Sequence, residues 1–176
     1  MNNKEVFRIK NFISKESSKI LSDWILNNSN KSFFKDANMR GNRKTTRYST
    51  DEDFTYPNES LEIRKKIIDK FNLQENEKHA IYPPFKNGIL ASYAEDNDTC
   101  YLHKDPRHFD NHHTIHCNLK LNNTEGGDVL VEDKTYSVEK GDLWMYPVSE
   151  INHGTNLLTS DNRLIWVYSF CLYANR

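Results

Sequence analysis

The sequence is poor in cysteine, has no long apolar run and carries almost no net charge. Its three cysteines, Cys100, Cys117 and Cys171, are too few and too scattered for a disulfide framework or a thiolate zinc site, and an odd number is typical of a reducing compartment. No apolar run approaches the length of a membrane span, and the first residues lack the apolar core of a signal peptide. We therefore expect a soluble cytoplasmic protein that does not act at a membrane.

The charge balance argues against one large class of function. The chain has 24 Lys and Arg residues against 25 Asp and Glu residues, a formal net charge of -1. Proteins whose main role is to bind nucleic acid carry an excess of positive charge, so we do not expect a nucleic-acid partner. With 176 residues, no internal repeat and no linker, the sequence predicts a single domain over residues 1–176.

The N-terminal part, about residues 1–75, is predicted to be mainly helical. Residues 6–9 have the pattern of a short edge strand, and Ser14 is a suitable N-cap for the helix that follows. Residues 59–72 have the apolar spacing of a second amphipathic helix. The apolar stripes predicted to face the core are Ile20, Leu21, Trp24 and Ile25 in the first helix, and Leu61, Ile63, Ile67, Ile68 and Phe71 in the second.

Residues 28–60 are polar and rich in turn-forming residues, and they contain a local basic cluster. This cluster is typical of a solvated loop or edge strand, which is the interpretation we favour. The alternative is the rim of a pocket that attracts an acidic or phosphorylated substrate. The cluster consists of Arg40, Arg43, Lys44 and Arg47.

The rest of the chain, about residues 85–174, is predicted to be a β core. Short β-like runs alternate with polar turns, a pattern typical of an antiparallel sandwich or barrel. One of these runs, residues 114–121, is apolar on the face of Cys117 and Leu119 and polar on the face of His116 and Asn118, which predicts a strand between the helices and a pocket. The other predicted strands are residues 89–93, 100–103, 129–132, 135–138, 143–146 and 164–172.

Four residues suggest a metal site with a neighbouring anion site. His103 and Asp105 lie on the same face of a predicted strand, because alternate side chains point the same way. His153, 50 residues downstream, is the natural third ligand of a two-His, one-carboxylate triad for iron. Arg163 follows ten residues later in an apolar strand, where a buried guanidinium needs an anionic partner such as a carboxylate.

This combination resembles the Fe(II)/2-oxoglutarate-dependent dioxygenases, and within them the prolyl 4-hydroxylase-like group. The matching pattern is a His-x-Asp pair, a distal His and a basic residue about ten positions later, and all four are present. Residues 126–130, with their Gly-Gly-Asp turn, and residues 141–147, with their Gly-Asp strand opening, also resemble family motifs. The resemblance covers most of the chain and is densest from residue 89 to residue 172.

The resemblance implies a mainly β protein with N-terminal helices and a double-stranded β-helix (jelly-roll, cupin-like) core. It implies that His103, Asp105 and His153 bind Fe(II) and act in catalysis, and that Arg163 holds the far carboxylate of 2-oxoglutarate. Tyr93, Asn118 and Lys120 are further candidates to contact this cosubstrate. O2 would be the second cosubstrate, with ascorbate a candidate reductant, and succinate and carbon dioxide the products.

The resemblance also implies hydroxylation of an unactivated C–H bond in an amino acid, peptide or protein, with proline as the guess by analogy. Asp105 stands where family halogenases carry a small residue, so hydroxylation is expected rather than halogenation. Two alternatives remain open: a catalytically silent sensor that binds metal and 2-oxoglutarate, and a cupin-like metal isomerase or hydrolase that has no need of Arg163. A second metal site among His108, His112, His113 and His116 is not favoured, because nothing fixes its geometry.

Overall fold

The computed structural model describes residues 6–37, 42–47, 54–73, 88–107 and 112–173. Two helices and eleven strands lie in these ranges. Arg40 of the basic cluster and His108 of the histidine-rich stretch lie outside the described residues. Neither described helix is long and apolar enough to cross a membrane.

Both predicted helices are present. Helix α1 spans Lys15–Asn28, and the hydroxyl of Ser14 caps it by accepting a hydrogen bond from the Ser17 N–H at 3.0 Å. Helix α2 spans Asn58–Phe71. Each helix buries a stripe on the same core, with Leu21 and Ile25 from α1 and Ile63 and Ile67 from α2.

Two residues of the predicted stripes were placed wrongly. Ile20 is 39% exposed and Leu61 is 47% exposed. Successive residues of a helix are rotated by about 100°, so Leu61, two positions before the buried Ile63, points roughly to the opposite side. Ile20 lies one position from Leu21, at the edge of the buried stripe.

The strands form two antiparallel sheets. The seven-stranded sheet has the order β1-β9-β6-β11-β4-β3-β2, and the four-stranded sheet has the order β5-β10-β7-β8. Strands β2 and β10 are short and were not predicted from the sequence, and β3 lies in the basic cluster that was predicted to be a solvated loop or an edge strand. The bounds are β1 Phe7–Ile9, β2 Lys35–Asp36, β3 Arg43–Thr45, β4 Ile89–Glu95, β5 Cys100–His103, β6 His112–Lys120, β7 Val129–Val131, β8 Lys134–Tyr136, β9 Leu143–Pro147, β10 His153–Thr155 and β11 Asn162–Tyr173.

The large sheet separates two cores. Its outer face packs against the helices, where Trp166 and Tyr168 of β11 are fully buried. Its inner face packs against the small sheet through residues such as Trp144, Ile165 and Val131. The predicted division of β6 is confirmed, because Cys117 and Leu119 belong to the outer core whereas His116 and Asn118 face a pocket between the sheets. This arrangement is the predicted jelly-roll core with helices on one sheet.

The Gly-Asp opening of β9 joins the N-terminal strand to the core. The buried carboxylate of Asp142 accepts hydrogen bonds from Arg8 Nε at 2.7 Å and from the backbone N–H groups of Asn11 and Glu139 at 3.1 and 3.0 Å. Gly141 has a φ of 87°, a conformation that glycine adopts without a steric penalty. These contacts hold β1 at the edge of the large sheet, beside β9.

We expect Ser60→Ala to lower the free energy of unfolding by about 1–3 kcal/mol, because it leaves buried donors without an acceptor. The Ser60 hydroxyl accepts a hydrogen bond from Trp166 Nε1 at 3.0 Å and lies 3.5 Å from the Tyr168 hydroxyl. The matched control is Leu61→Ala on the exposed side of the same turn, which should change stability by less than about 0.5 kcal/mol. Urea denaturation of both variants checks this, and equal losses would contradict it.

Candidate metal and dicarboxylate site

The three predicted metal ligands converge on one point. His103 ends β5, Asp105 follows two residues later, and His153 begins β10 directly opposite His103 in the sheet register. The distance from His103 Nε2 to Asp105 Oδ1 is 3.4 Å, and the two imidazole ring centres are 4.5 Å apart. One ligand atom from each residue lies within 4.8 Å of the other two. Two imidazoles and one carboxylate on one side of a shared point fit a six-coordinate ferrous ion.

Backbone groups orient these ligands. His103 Nδ1 lies 2.9 Å from the Tyr101 carbonyl oxygen and His153 Nδ1 lies 3.3 Å from the Ile151 carbonyl oxygen, contacts that place a donor proton on Nδ1 and leave each Nε2 as the metal-binding atom. The Asp105 N–H donates to the Val148 carbonyl oxygen at 2.9 Å, which ties the segment after β5 to the residue that follows β9 of the large sheet.

Gly154 permits the close approach of the two ligand-bearing strands. A Cβ atom at this position would lie 2.5 Å from the Cys100 carbonyl oxygen and 3.0 Å from that of Tyr101. Any side chain would therefore push β10 away from β5. Since His153 precedes Gly154 and His103 ends β5, the spacing of the two imidazoles depends on this glycine.

The charges of the triad are strongly coupled. Burial alone would raise the pKa of Asp105, but the hydrogen bond with His103 and the positive charges that His116, His153 and Arg47 carry at low pH hold this pKa well below its usual range. The same hydrogen bond with Asp105 raises the pKa of His103 to about 10. Burial lowers the pKa of His153. The contact between the two residues thus favours the anionic carboxylate of Asp105 and the protonated imidazole of His103, and a metal ion bound here would take the place of that proton.

Arg163 is a buried cation that faces the same pocket. It lies near the start of β11 and is only 4% exposed. Its guanidinium makes no hydrogen bond or ion pair with any residue in the described ranges, and its Nε atom is fully buried. Burial, and next the charge of Arg43, lower its pKa to about 10, so it keeps its charge at neutral pH. Such a group calls for an anionic partner.

The backbone makes room for this guanidinium. Gly127, in the turn before β7, has a φ of 65°, and a Cβ atom there would lie 2.9 Å from Arg163 Cδ. The Gly-Gly turn therefore serves the anion site as well as the chain reversal. Arg163 and all three residues of the triad line one cavity of about 120 Å³, so the guanidinium and the candidate metal position face the same space.

The three other predicted cosubstrate contacts have different positions. Asn118 lines the pocket and donates through Nδ2 to the carbonyl oxygens of His116 and Trp144 at 3.3 and 3.4 Å. Lys120 is buried, but its Nζ donates to the Val138 carbonyl oxygen at 2.9 Å, and the residue does not line the pocket. Burial, and next the charge of Arg163, lower the pKa of Lys120.

The expected contact between Tyr93 and the cosubstrate is corrected by the structure. Tyr93 packs against the core between the large sheet and the helices, whereas its neighbour Ser92 lines the pocket. Adjacent residues of a strand point to opposite faces, so Tyr93 cannot reach the site from this register.

Several pocket residues were not predicted as site residues. His116 Nε2 lies 3.7 Å from Asp105 Oδ2, and the ring of Tyr146 lies 5.2 Å from that of His153. Burial lowers the pKa of His116 to about 4, so this imidazole is neutral. The alternation along β6 contained the signal for His116, because it lies on the polar face that was predicted to line a pocket.

The histidine-rich stretch has a structural role where it is described. His113 lies on the other face of β6 from His116, and its Nδ1 is 3.0 Å from Glu150 Oε1. Glu150 also accepts hydrogen bonds from Arg107 at 2.6 and 3.0 Å. This network connects the segment after Asp105 to the turn before His153. His113 and His116 do not converge on a second metal site.

Sequence comparison finds no relative, because no protein-family model and no curated protein matches the chain. Structure comparison does find similar folds. A viral collagen prolyl hydroxylase from Paramecium bursaria Chlorella virus-1, solved with 2-oxoglutarate, is 16% identical with a TM-score of 0.67, and 97% of each chain is covered.

Two further structures extend this likeness. A Trichoplax adhaerens prolyl hydroxylase in complex with a hypoxia-inducible factor peptide is 15% identical, with a TM-score of 0.66 over 96% of this chain and 84% of that one. HygX from Streptomyces hygroscopicus, with nickel and 2-oxoglutarate, is 8% identical, with a TM-score of 0.64 over 96% and 83% of the two chains. The chain therefore has the double-stranded β-helix fold of the prolyl 4-hydroxylase-like oxygenases.

We expect Gly154→Ala to weaken metal binding by about 10- to 100-fold, the usual effect of disturbing the support of a ligand. The added methyl group meets the backbone of β5 and separates the two imidazoles. Isothermal titration with Mn(II) measures the affinity, and Leu157→Ala, at a residue that is 49% exposed, is the control. An unchanged affinity in Gly154→Ala would contradict this role.

Proposed function

We propose that this protein is an Fe(II)- and 2-oxoglutarate-dependent dioxygenase that hydroxylates an unactivated C–H bond of an amino-acid or peptidyl substrate. The observation that carries the proposal is the buried guanidinium of Arg163 in the pocket that holds the His103, Asp105 and His153 triad. When bound, Fe(II) and 2-oxoglutarate supply the oxidising chemistry with O2, and succinate and carbon dioxide leave as products.

The residues of the chain have separate roles in this proposal. The triad would hold the metal through two imidazoles and a carboxylate, the ligand set typical of non-haem Fe(II) oxygenases. Arg163 binds the distal carboxylate of 2-oxoglutarate, since its planar fork can donate two parallel hydrogen bonds. Asn118 lines the pocket beside this position and is a candidate second contact. Lys120 does not line the pocket, so in this proposal it contributes positive charge near Arg163 and does not contact 2-oxoglutarate.

The walls of the pocket suit a reaction that must exclude water. Leu90, Trp144, Ile165 and Val167 line it, and all are buried side chains of the inner core. An apolar lining with a few converging polar groups is typical of a cofactor site. Ascorbate is proposed as the reductant that keeps the iron ferrous.

The fold supports an oxygenase, and the carboxylate of Asp105 favours hydroxylation over halogenation, because halogenases of this family carry a small residue at that position. A peptide substrate is suggested by the Trichoplax enzyme, which was solved with one, and prolyl substrates are suggested by the names of the similar structures. A cupin-like isomerase or hydrolase would have no use for an anion site beside the metal. A silent sensor would bind 2-oxoglutarate without turnover.

Substitution of Arg163 tests the cosubstrate site. We expect Arg163→Met to weaken 2-oxoglutarate binding to the Mn(II)-loaded protein by about 10- to 100-fold, because hydrogen bonds to a charged group are lost. Arg163→Lys should recover part of the affinity, and the affinity for Mn(II) alone should be unchanged in both. Isothermal titration measures the affinities of the wild type and of both variants for Mn(II) and, once they are loaded with Mn(II), for 2-oxoglutarate. A folded, metal-loaded wild-type protein that does not bind 2-oxoglutarate would refute the proposed function.

Turnover separates the oxygenase from its alternatives. Wild-type protein with Fe(II), O2, ascorbate and 2-oxoglutarate should form succinate, and a substrate should increase the rate. His103→Ala should abolish succinate formation because a metal ligand is removed. Tight binding of 2-oxoglutarate without succinate formation across substrate panels would favour the sensor, whereas activity without O2 and 2-oxoglutarate would favour the cupin-like enzyme.

A further inference from the structure

The described members of the basic cluster, Arg43, Lys44 and Arg47, are divided between the pocket side of the large sheet and the opposite side. Strand β3 pairs with β4, with Arg43 opposite Ala94 and Thr45 opposite Ser92. Arg43, Thr45 and Arg47 line the pocket of the metal triad. Lys44 and Thr46 do not, and the Thr46 hydroxyl lies 2.8 Å from that of Tyr56 in the core under the helices. Alternate residues of this segment thus bring two guanidinium groups to the site.

These two arginines have different surroundings. Arg43 forms an ion pair with Asp98, with Nε at 3.1 Å and Nη2 also in contact, and it donates to Thr155 Oγ1 at 3.2 Å. It therefore connects β3 to the segment before β5. Arg47 lies in the turn after β3 and lines the same pocket as His103, Asp105 and His153. Its positive charge therefore faces the space beside the candidate metal position.

The pocket attracts anions and offers little to a cationic substrate. Among the described lining residues, the charged side chains other than histidines are Arg43, Arg47, Arg163 and Asp105. Asp105 is committed to the metal and Arg163 to the distal carboxylate of 2-oxoglutarate. A second anion that enters the pocket meets the guanidinium groups of β3 and its following turn, and finds no other carboxylate in the described lining.

We propose that the substrate carries a carboxylate close to the C–H bond that is oxidised, and that Arg47 binds this carboxylate. This inference rests on the proposed function and names its substrate class. A guanidinium fork matches a planar carboxylate in two places, which would orient the substrate as well as attract it. Two sources have this chemistry: the α-carboxylate of a free amino acid, and an acidic side chain beside the target residue of a peptide.

The experiment uses wild-type protein loaded with Mn(II) and 2-oxoglutarate, so that no turnover occurs. The first set of probes consists of the free L-amino acids and their carboxamides. The second set consists of short peptides in which Glu, or Gln as the uncharged control, stands next to the residue tested as the target of oxidation. We expect an acid to bind at least about tenfold more tightly than its amide, the difference that one charge-assisted hydrogen bond supports. Tighter binding of free acids than of their carboxamides identifies the α-carboxylate of an amino acid as the bound group. Tighter binding of Glu peptides than of Gln peptides identifies an acidic side chain.

Variants assign the effect to Arg47. Arg47→Met should abolish the preference for the acid and leave the affinity for 2-oxoglutarate unchanged. Arg47→Lys should keep a weakened preference, because the charge stays but the fork is lost. Lys44→Met is the matched control from the same cluster, and it should behave as wild type because Lys44 does not line the pocket.

Failure of this inference is distinguishable from failure of the proposed function. If wild-type protein does not bind 2-oxoglutarate, the proposed function falls. If 2-oxoglutarate binds but amides bind as well as acids, or no acid binds, the carboxylate assignment is overturned and the oxygenase assignment stands. Loss of 2-oxoglutarate affinity in Arg47→Met would also overturn it, because Arg47 would then belong to the cosubstrate site.

Discussion

The site depends on the burial of one positive charge. Arg163 is placed near the start of β11, the long central strand of the large sheet, between β4 and β6. Removing a guanidinium from water costs several kcal/mol unless an anion or hydrogen bonds compensate. The structure keeps this charge in an apolar strand and keeps a glycine turn, at Gly127, that makes room for it. In the proposed function, the carboxylate of a bound dicarboxylic acid supplies the compensating anion.

The metal triad depends on the smallest elements of the fold. His103 and His153 belong to strands of four and three residues, β5 and β10, which lie in the small sheet. Such short strands have little stability alone, so the spacing of the imidazoles relies on Gly154 and on packing against the large sheet. The large sheet carries Arg163 and the small sheet carries two of the three candidate metal ligands. Their approach to one another defines the site.

The sequence predicted the parts of the site whose chemistry is unusual for their surroundings. A His-x-Asp pair, a distant His and an Arg in an apolar strand could be recognised because together they match the four-part pattern of a known oxygenase family. Of the four, only the Arg also stands out by its surroundings, as a charged residue in an apolar strand. Tyr93 could not be placed correctly, because residues 89–94 carry apolar side chains on both faces and one small polar residue, Ser92, is too weak a signal to show which face lines the pocket. Strand β10 was missed because a strand of three residues, one of them a glycine, is too short to show the alternation of polar and apolar side chains that predicts a strand.

The basic cluster shows the same limit and what the fold adds to it. A net charge of -1 describes the whole chain and carries no information about the field inside a pocket. Arginines on a polar segment have the same sequence pattern whether they face solvent or a pocket, and only the pairing of β3 with β4 distinguishes Arg43 and Arg47 from Lys44. The low identities to known oxygenases transfer the fold but not the substrate. Substrate choice in this protein is therefore best sought in the charges that β3 and its following turn bring to the pocket.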